Sequence, residues 1–380
     1  MTRVRSGSEA AAAPAPATRD HYRERVRGCL LGGALGDALG AGIEFLSLDE
    51  IRARHGPAGV AGPTSAYGVA APITDDTQMT LFTVEGLIRA SVRGRSKGIC
   101  HPPTVLWRAY QRWLATQELT APPERPDGWL AGQPVLYARR APGNACLSGL
   151  GAPTMGTPDQ PANPESKGCG AVMRSAPFGL VPWSAADAWR QARECAVQTH
   201  GHRSGYLAAA TLAWIVREIV DGHDLDAAAR SALARLATER GGGEVRDALA
   251  AALEAAELDR GSPGAATVET LGGGWVAEEA LAIAVYCAAA APDDPRTALL
   301  AAVNHSGDSD STGAICGNLI GAELGDLGLP WEWLAELEGR DLVGQVADDL
   351  VREFAVPAAV TDPAGQGAAT SAWFARYPGS

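Results

Sequence analysis

An all-α fold is what the sequence predicts, and three observations carry that reading. Ala and Leu are abundant, while the strand-favouring residues are sparse, with 5 Phe and 7 Tyr in 380 residues. Apolar residues recur at helical spacing through most of the chain instead of alternating. Finally, Gly28, Gly32, Gly36 and Gly40 recur every fourth residue, which places all four on one helix face.

That first helix covers residues 21–40. Glycine costs about 1 kcal/mol per helix position, so four on one face require another backbone to approach closely. After a loop holding Pro57, Pro63 and Pro72, a second helix is predicted over 74–93, with Met79, Phe82, Leu87 and Ile88 at core spacing. Thr74 is placed to cap it, because its hydroxyl can accept from the first-turn amides. Further helices are expected at 103–116, 184–199, 205–220, 226–239, 245–258, 276–290, 295–303, 311–324, 330–337 and 341–354. Trp107, Trp113 and Trp214 recur at helical spacing and read as core. Between Pro122 and Pro182 the periodicity is lost among dense Pro and Gly; a connection that long inside a compact domain predicts a site-lining segment.

One globular domain is expected over 20–361, between a disordered Ala/Pro-rich tail at 1–19 and a flexible tail at 362–380. The formal charge of −12 makes nucleic acid and anionic membrane surfaces unlikely partners, since both reward clustered Lys and Arg. Seven scattered cysteines without C-x-x-C spacing read as reduced thiols of a cytoplasmic protein, with no disulfide framework or zinc site. Pro14 and Pro16 break the N-terminal Ala run before it forms a signal-peptide core. The apolar run 280–292 falls short of the about 20 residues a membrane span needs. A monomer is the default expectation.

Two acidic constellations carry the chemistry. Thr74-Asp75-Asp76-Thr77 opens an apolar helix, where carboxylates also serve as plain caps favoured by the helix dipole. The stretch Asn304 to Gly313 contains Ser306-Gly307-Asp308-Ser309-Asp310-Ser311-Thr312, again before a helix of small residues. Its Asp-x-Asp pair and hydroxyls offer several hard oxygens within one turn, which suits Mg²⁺ or Mn²⁺ better than zinc. An EF-hand loop is discarded, because the distal glutamate is missing. Four carboxylates match two divalent cations in formal charge, and burying them unpaired costs several kcal/mol per ion. Ser166, Gly168 and Gly170 form a turn whose amides can cradle a diphosphate. Gly272-Gly273-Gly274 before Trp275 is a weaker candidate for the same cleft. Neither His200 nor His202 has further metal-ligand spacing around it, so both read first as structural.

With these motifs the chain resembles the ADP-ribosylglycohydrolases, which include the dinitrogenase-reductase-activating glycohydrolases and the ADP-ribosylarginine hydrolases. The resemblance runs from about Arg25 to Phe354. It is carried, in family order, by Gly32-Gly33-Ala34-Leu35-Gly36-Asp37-Ala38-Leu39-Gly40 with Glu44, by Thr74 to Met79, by Gly168-Cys169-Gly170-Ala171-Val172-Met173-Arg174, by Thr199-His200-Gly201-His202, and by Ser306 to Gly313. It implies an orthogonal helical bundle with a central dinuclear metal cleft. Two Mg²⁺ (or Mn²⁺) ions would be held by Thr74, Asp75, Asp76, Asp308, Asp310 and Ser311. Catalysis would fall to Glu44, Asp75, Asp76 and Asp308, with Glu44 as a gate or acid/base group. The ADP-ribose moiety of an ADP-ribosylated protein would be bound by Ser166, Gly168, Gly170, His202 and Ser309.

Two departures stand out: Ser311 occupies a position commonly threonine, keeping the hydroxyl, and Arg203 stands where a proline commonly follows the second histidine. The implied activity is metal-dependent hydrolysis removing ADP-ribose from modified protein side chains, arginine-linked first, on the segments 167–174 and 306–312. The alternatives are a metal-dependent nucleotide phosphohydrolase, disfavoured because both motifs offer oxygen ligands and His305 is the one nearby histidine, and a non-catalytic ADP-ribose-binding module.

Overall fold

A computed structural model describes residues 16–355 and 368–379 of the chain. Helix α1 (Pro16–Gly40) leads into α2 (Leu48–His55), which Ser47 and Glu50 close with a reciprocal capping box. A ribbon of Ser65–Ala66 paired antiparallel with Val69–Ala70 is the one sheet among the described residues. Helix α3 (Asp75–Lys97) starts at Thr74, whose hydroxyl accepts from the Asp76 amide, and stops at Gly98, where φ is 72°. Next come α4 (Pro102–Glu118), the short α5 (Asn144–Leu150) and α6 (Ala176–Leu180), then α7 (Ala185–Ala196), α8 (Arg203–Val220), α9 (Leu225–Leu236) and α10 (Gly243–Leu258). The rest are α11 (Ala265–Leu271), α12 (Ala277–Ala290), α13 (Pro295–Val303), α14 (Ser309–Leu324), α15 (Trp331–Glu336), α16 (Arg340–Ala355) and α17 (Ala368–Arg376).

The glycine face of α1 meets a second glycine face on α14, and the two helices run antiparallel with their backbones touching. A Cβ at Gly28 would lie 2.0 Å from the Gly321 carbonyl oxygen, at Gly32 2.2 Å from that of Gly317, and at Gly36 1.9 Å from that of Gly313. At Gly40 it would lie 2.3 Å from the Asp310 amide nitrogen. At these four crossings no side chain fits, which is the compensation the sequence demanded for so costly a helix. Because the helices are antiparallel, the C-terminal end of α1 arrives beside the N-terminal end of α14. Helix α12 is buried all round except at Glu279, which explains its alanine-rich, uniformly apolar run as a central core helix. No helix among the described residues is long and apolar enough to cross a membrane, and all seven cysteines are free.

The long helices lie within a few residues of the positions expected from the sequence. The differences fall on short elements: α2, α5, α6, α11 and α17 carry too few turns for periodicity to show. One expectation is corrected. Within the segment 362–380, assigned above to a flexible tail, α17 docks on the domain, burying Trp373 and Tyr377, and the Tyr377 hydroxyl donates to Asp349 at 2.6 Å. Arg89 and Arg93 donate to the carbonyls of Pro378 and Gly379. Helix α1 likewise begins at Pro16, inside the expected N-terminal tail. Residues 1–15, 356–367 and 380 lie outside the described residues.

Candidate active site

The antiparallel α1–α14 seam delivers Glu44, in the turn after α1, to the first turn of α14. Oxygens of Glu44, Asp308 and Asp310 lie within 4.8 Å of one another, and all three residues are buried. Asp308 caps α14 by accepting from the Ser311 amide, so the capping role and the acidic site coincide.

The first turn of α3 joins from the other side. Thr74 Oγ1 donates to Asp310 at 3.3 Å, and Ser311 Oγ lies 3.5 Å from Asp76 Oδ2. That turn is held by Asp37, one turn before the end of α1. Its carboxylate accepts the amides of Thr74 at 2.9 Å and Thr77 at 3.1 Å and the Thr77 hydroxyl at 2.5 Å.

A cavity of about 420 Å³ opens over these groups, lined by Glu44, Asp75, Asp76, Asp308, Asp310 and Ser311 at its acidic end. Arg139, Gly143, Gly168, Gly170, Met173 and His200 line more of it, and Phe45 and Trp275 stand at the rim with ring centroids 5.6 Å apart. Most of these lining residues come from the Pro- and Gly-dense stretch, as its length predicted.

Three loops are tied together on one side. The Cys169 amide donates to Trp275 O at 3.2 Å, the Ala277 amide to Lys167 O at 2.8 Å, and the Asp308 amide to Gly273 O at 2.8 Å. Gly307 has φ of 141°, and a Cβ there would lie 2.0 Å from Gly273 O, so only glycine fits. The Cys169 thiol donates to Asp308 Oδ2 at 2.7 Å.

Burial and mutual repulsion raise the carboxyls of this cluster. Glu44 is pushed up to about 9, first by burial and then by Asp308 and Asp75. Burial, then neighbouring acids, holds Asp76 and Asp310 well above the usual carboxylate range. Asp75 rises too, mainly by burial, against the hydrogen bond from the Gly143 amide. Asp37 rises to about 6 by burial, against its hydrogen bonds. His200 is pushed down to about 3 by burial and by Arg174.

Asp76 Oδ1 and Glu44 Oε2 are buried with no hydrogen-bond partner among the described residues. Orphaned acceptors inside a cluster of like charge are what a cation would satisfy, and an all-oxygen donor set fits a hard divalent ion.

Thr74, Asp75, Asp76, Asp308, Asp310 and Ser311 are thus brought together, and Glu44 joins them directly. Gly168 and Gly170 line the cavity. Three of the expected substrate contacts do not. His202 turns its Nδ1 back to accept from the Ser204 amide and caps α8, leaving the cleft wall to His200. Ser166 sits behind the wall, its carbonyl accepting the His202 amide, and Ser309 is buried against Gly40. Sequence reasoning missed Asp37 and Cys169 although both lie inside quoted motifs. A lone acid in an apolar helix was the available signal for Asp37.

The ADP-ribosylglycohydrolase family matches residues 18–359. The ADP-ribosyl-[dinitrogen reductase] glycohydrolase of Rhodospirillum rubrum is 28% identical over 332 residues, covering 84% of this chain and 92% of that protein. An uncharacterized protein of Archaeoglobus fulgidus is 28% identical over 331 residues, covering 86% and 96%. A solved ADP-ribosylglycohydrolase-related protein complex superposes with a TM-score of 0.60 at 25% identity, over 89% of this chain and 100% of that one. With its acidic cleft and helical architecture in the same frame, the chain belongs to the ADP-ribosylglycohydrolase family, hydrolases that remove ADP-ribose.

Proposed function

We propose that this protein uses divalent cations to hydrolyse the glycosidic bond between ADP-ribose and a modified protein side chain, with arginine the preferred linkage. The observation that carries the reading is the convergence of the Glu44, Asp308 and Asp310 oxygens within 4.8 Å, at the acidic end of a cavity sized for a nucleotide-like ligand. Two Mg²⁺ or Mn²⁺ ions would be held by Thr74, Asp75, Asp76, Asp308, Asp310 and Ser311, with Glu44 at their edge. When bound, such ions supply Lewis-acid chemistry and fixed positive charge at the anomeric centre.

The protein's own groups do the positioning. Asp37 fixes the α3 turn that carries Asp75 and Asp76, and the Gly143 amide holds Asp75. Cys169 holds Asp308. Glu44, buried at the acidic end of the cavity, is the group placed to hold or pass a proton at its unpartnered Oε2. Arg139, in the cavity lining, and the Gly168–Gly170 backbone offer the donors that suit a diphosphate. The arginine preference rests on the likeness of 167–174 and 306–312 to the arginine-directed branch.

The test is release of free ADP-ribose from arginine-linked and serine-linked substrates, with Mg²⁺, with Mn²⁺ and with chelator. Cation-dependent release, faster from the arginine linkage, is expected. No release from either substrate with either metal would end the reading, and faster release from serine would end its arginine half.

A further inference from the structure

Arg174 is a guanidinium sealed inside the protein, 1% exposed, with no carboxylate within ion-pair distance among the described residues. Its Nη1 points at Cys146 Sγ (3.3 Å) and Met79 Sδ (3.6 Å), and its Cζ lies 4.5 Å from the centroid of the Tyr110 ring. The one strong hydrogen bond runs from Nη2 to Thr199 Oγ1 at 2.6 Å. A buried cation spent on a neutral hydroxyl is costly, so what the hydroxyl does next matters.

Thr199 Oγ1 lies 2.8 Å from His200 Nδ1, and the alternative acceptor for its proton, the Ala196 carbonyl, lies at 3.4 Å. An arginine only donates, so it takes one lone pair of the hydroxyl and leaves the Thr199 proton to be placed. Two observations place it on the ring. The imidazole contact is shorter by the difference between those distances, and a guanidinium behind the hydroxyl favours a lone pair over an N–H on the nitrogen that faces it. With Nδ1 accepting, the ring proton sits on Nε2, the edge that meets Gly168 and Gly170: a Cβ at Gly168 would lie 3.4 Å from Nε2, and one at Gly170 3.1 Å from Cε1. His200 lines the cavity there.

We propose that Arg174 acts through Thr199 as a positioning residue, fixing the His200 tautomer with its proton on Nε2 so that the ring donates a hydrogen bond to an acceptor atom of the ligand in the cleft. The identity of that ligand, the ADP-ribose moiety, rests on the function proposed above; the tautomer does not. Burial first and then the Arg174 charge keep the ring neutral, so the donor persists across the pH range in which ordinary histidines switch.

Nitrogen-15 NMR of the full-length protein decides the tautomer, with His200→Gln identifying the resonance. Nε2 is expected to be the protonated nitrogen and Nδ1 the bare one. Thr199→Val, which keeps the shape and removes the relay, and Arg174→Gln, which removes its source, should both populate the other tautomer. Each should raise the KM for an ADP-ribosylated peptide and the Kd for free ADP-ribose roughly tenfold, with kcat changed less than about twofold, and Thr199→Ser should restore both. A proton on Nδ1 in the unmodified protein overturns the proposal, as does a Thr199→Val protein whose tautomer and KM are unchanged. The NMR arm needs no substrate and, beyond the parent protein, only His200→Gln, so it separates failure of the relay from failure of the functional reading.

Discussion

Asp37 on α1 accepts the hydroxyl of Thr77 on α3 at 2.5 Å, and with the two amide contacts beside it this carboxylate clamps the turn that presents Asp75 and Asp76. Asp37→Asn keeps one acceptor but turns an NH₂ group toward amides that also donate. Two stability terms then oppose each other, because the lost acceptor is offset by removing a charge whose burial raises its pKa to about 6. Activity is therefore the informative readout. A fall in kcat/KM on the order of tenfold to a hundredfold is expected, with a small change in melting temperature. Steady-state kinetics beside a thermal melt checks it.

The α1–α14 seam makes an asymmetric prediction about glycines. Gly36→Ala places a methyl 1.9 Å from a carbonyl oxygen, so the helices must separate, at a cost of about 3 kcal/mol. Gly243→Ala, in a helix with nothing within 4 Å of the new carbon, should be neutral or stabilising by up to about 1 kcal/mol. Denaturant titration of both variants checks the contrast, and a Gly36→Ala protein as stable as the parent would contradict it.

The acidic cluster predicts linkage between cations, protons and stability. A group raised in the fold stabilises the fold fully below its unfolded value, and that contribution is lost as pH rises through the folded value. For Glu44 the window runs from 4.5 to about 9, so the metal-free protein should lose stability as pH climbs through neutrality. Mg²⁺ should reverse that loss and release protons, measurable as acidification of a weakly buffered solution.

Asp308→Asn keeps an acceptor for the Ser311 amide while removing one of the repelling charges. Its metal-free melting temperature is expected to match or exceed that of the parent, its Mg²⁺-induced shift to shrink, and its turnover to fall about a hundredfold to a thousandfold, as loss of a central electrostatic group does. Unchanged turnover would remove Asp308 from the site.

Ending the chain before residue 368 exposes the surface that Trp373 and Tyr377 cover and leaves Asp349 without the Tyr377 hydroxyl and the Arg376 guanidinium. Two buried aromatics are worth about 3 kcal/mol or more, so the truncated protein should melt several degrees lower.

How much of this was legible depended on repetition. The glycines from 28 to 40 could be read because a four-residue period has one geometric meaning. Their partners Gly313, Gly317 and Gly321 share the period but begin inside a stretch that draws attention for its acids. Thr74 as a cap and the stretch 122–182 as a wall followed from local chemistry. Asp37 was hidden because a single acid in an apolar helix has no periodic signature. His200 and His202 are two residues apart, and which one faces the cleft is set by the backbone turn entering α8, where His202 bonds to the Ser204 amide. The docking of α17 was signalled only by Trp373 and Tyr377 at i, i+4 spacing, after a stretch whose composition reads as tail.

The three loops laced together by Cys169, Gly273 and Asp308 make one jaw of the cleft a fixed template, since moving any of them breaks a bond in the other two. The segment 139–145 is tied at Arg140, which donates to Ile73 O and Glu338, at the Gly143 amide and at Ala145 O, which accepts from Asn163, but among the described residues its Arg139 and Asn144 side chains line the cavity with no hydrogen-bond partner. Drift or engineering toward a different ADP-ribosylated partner therefore has Arg139 and Asn144 on which to work, and libraries directed at those two positions should yield altered selectivity where libraries at 167–169 or 273–277 yield unfolded protein.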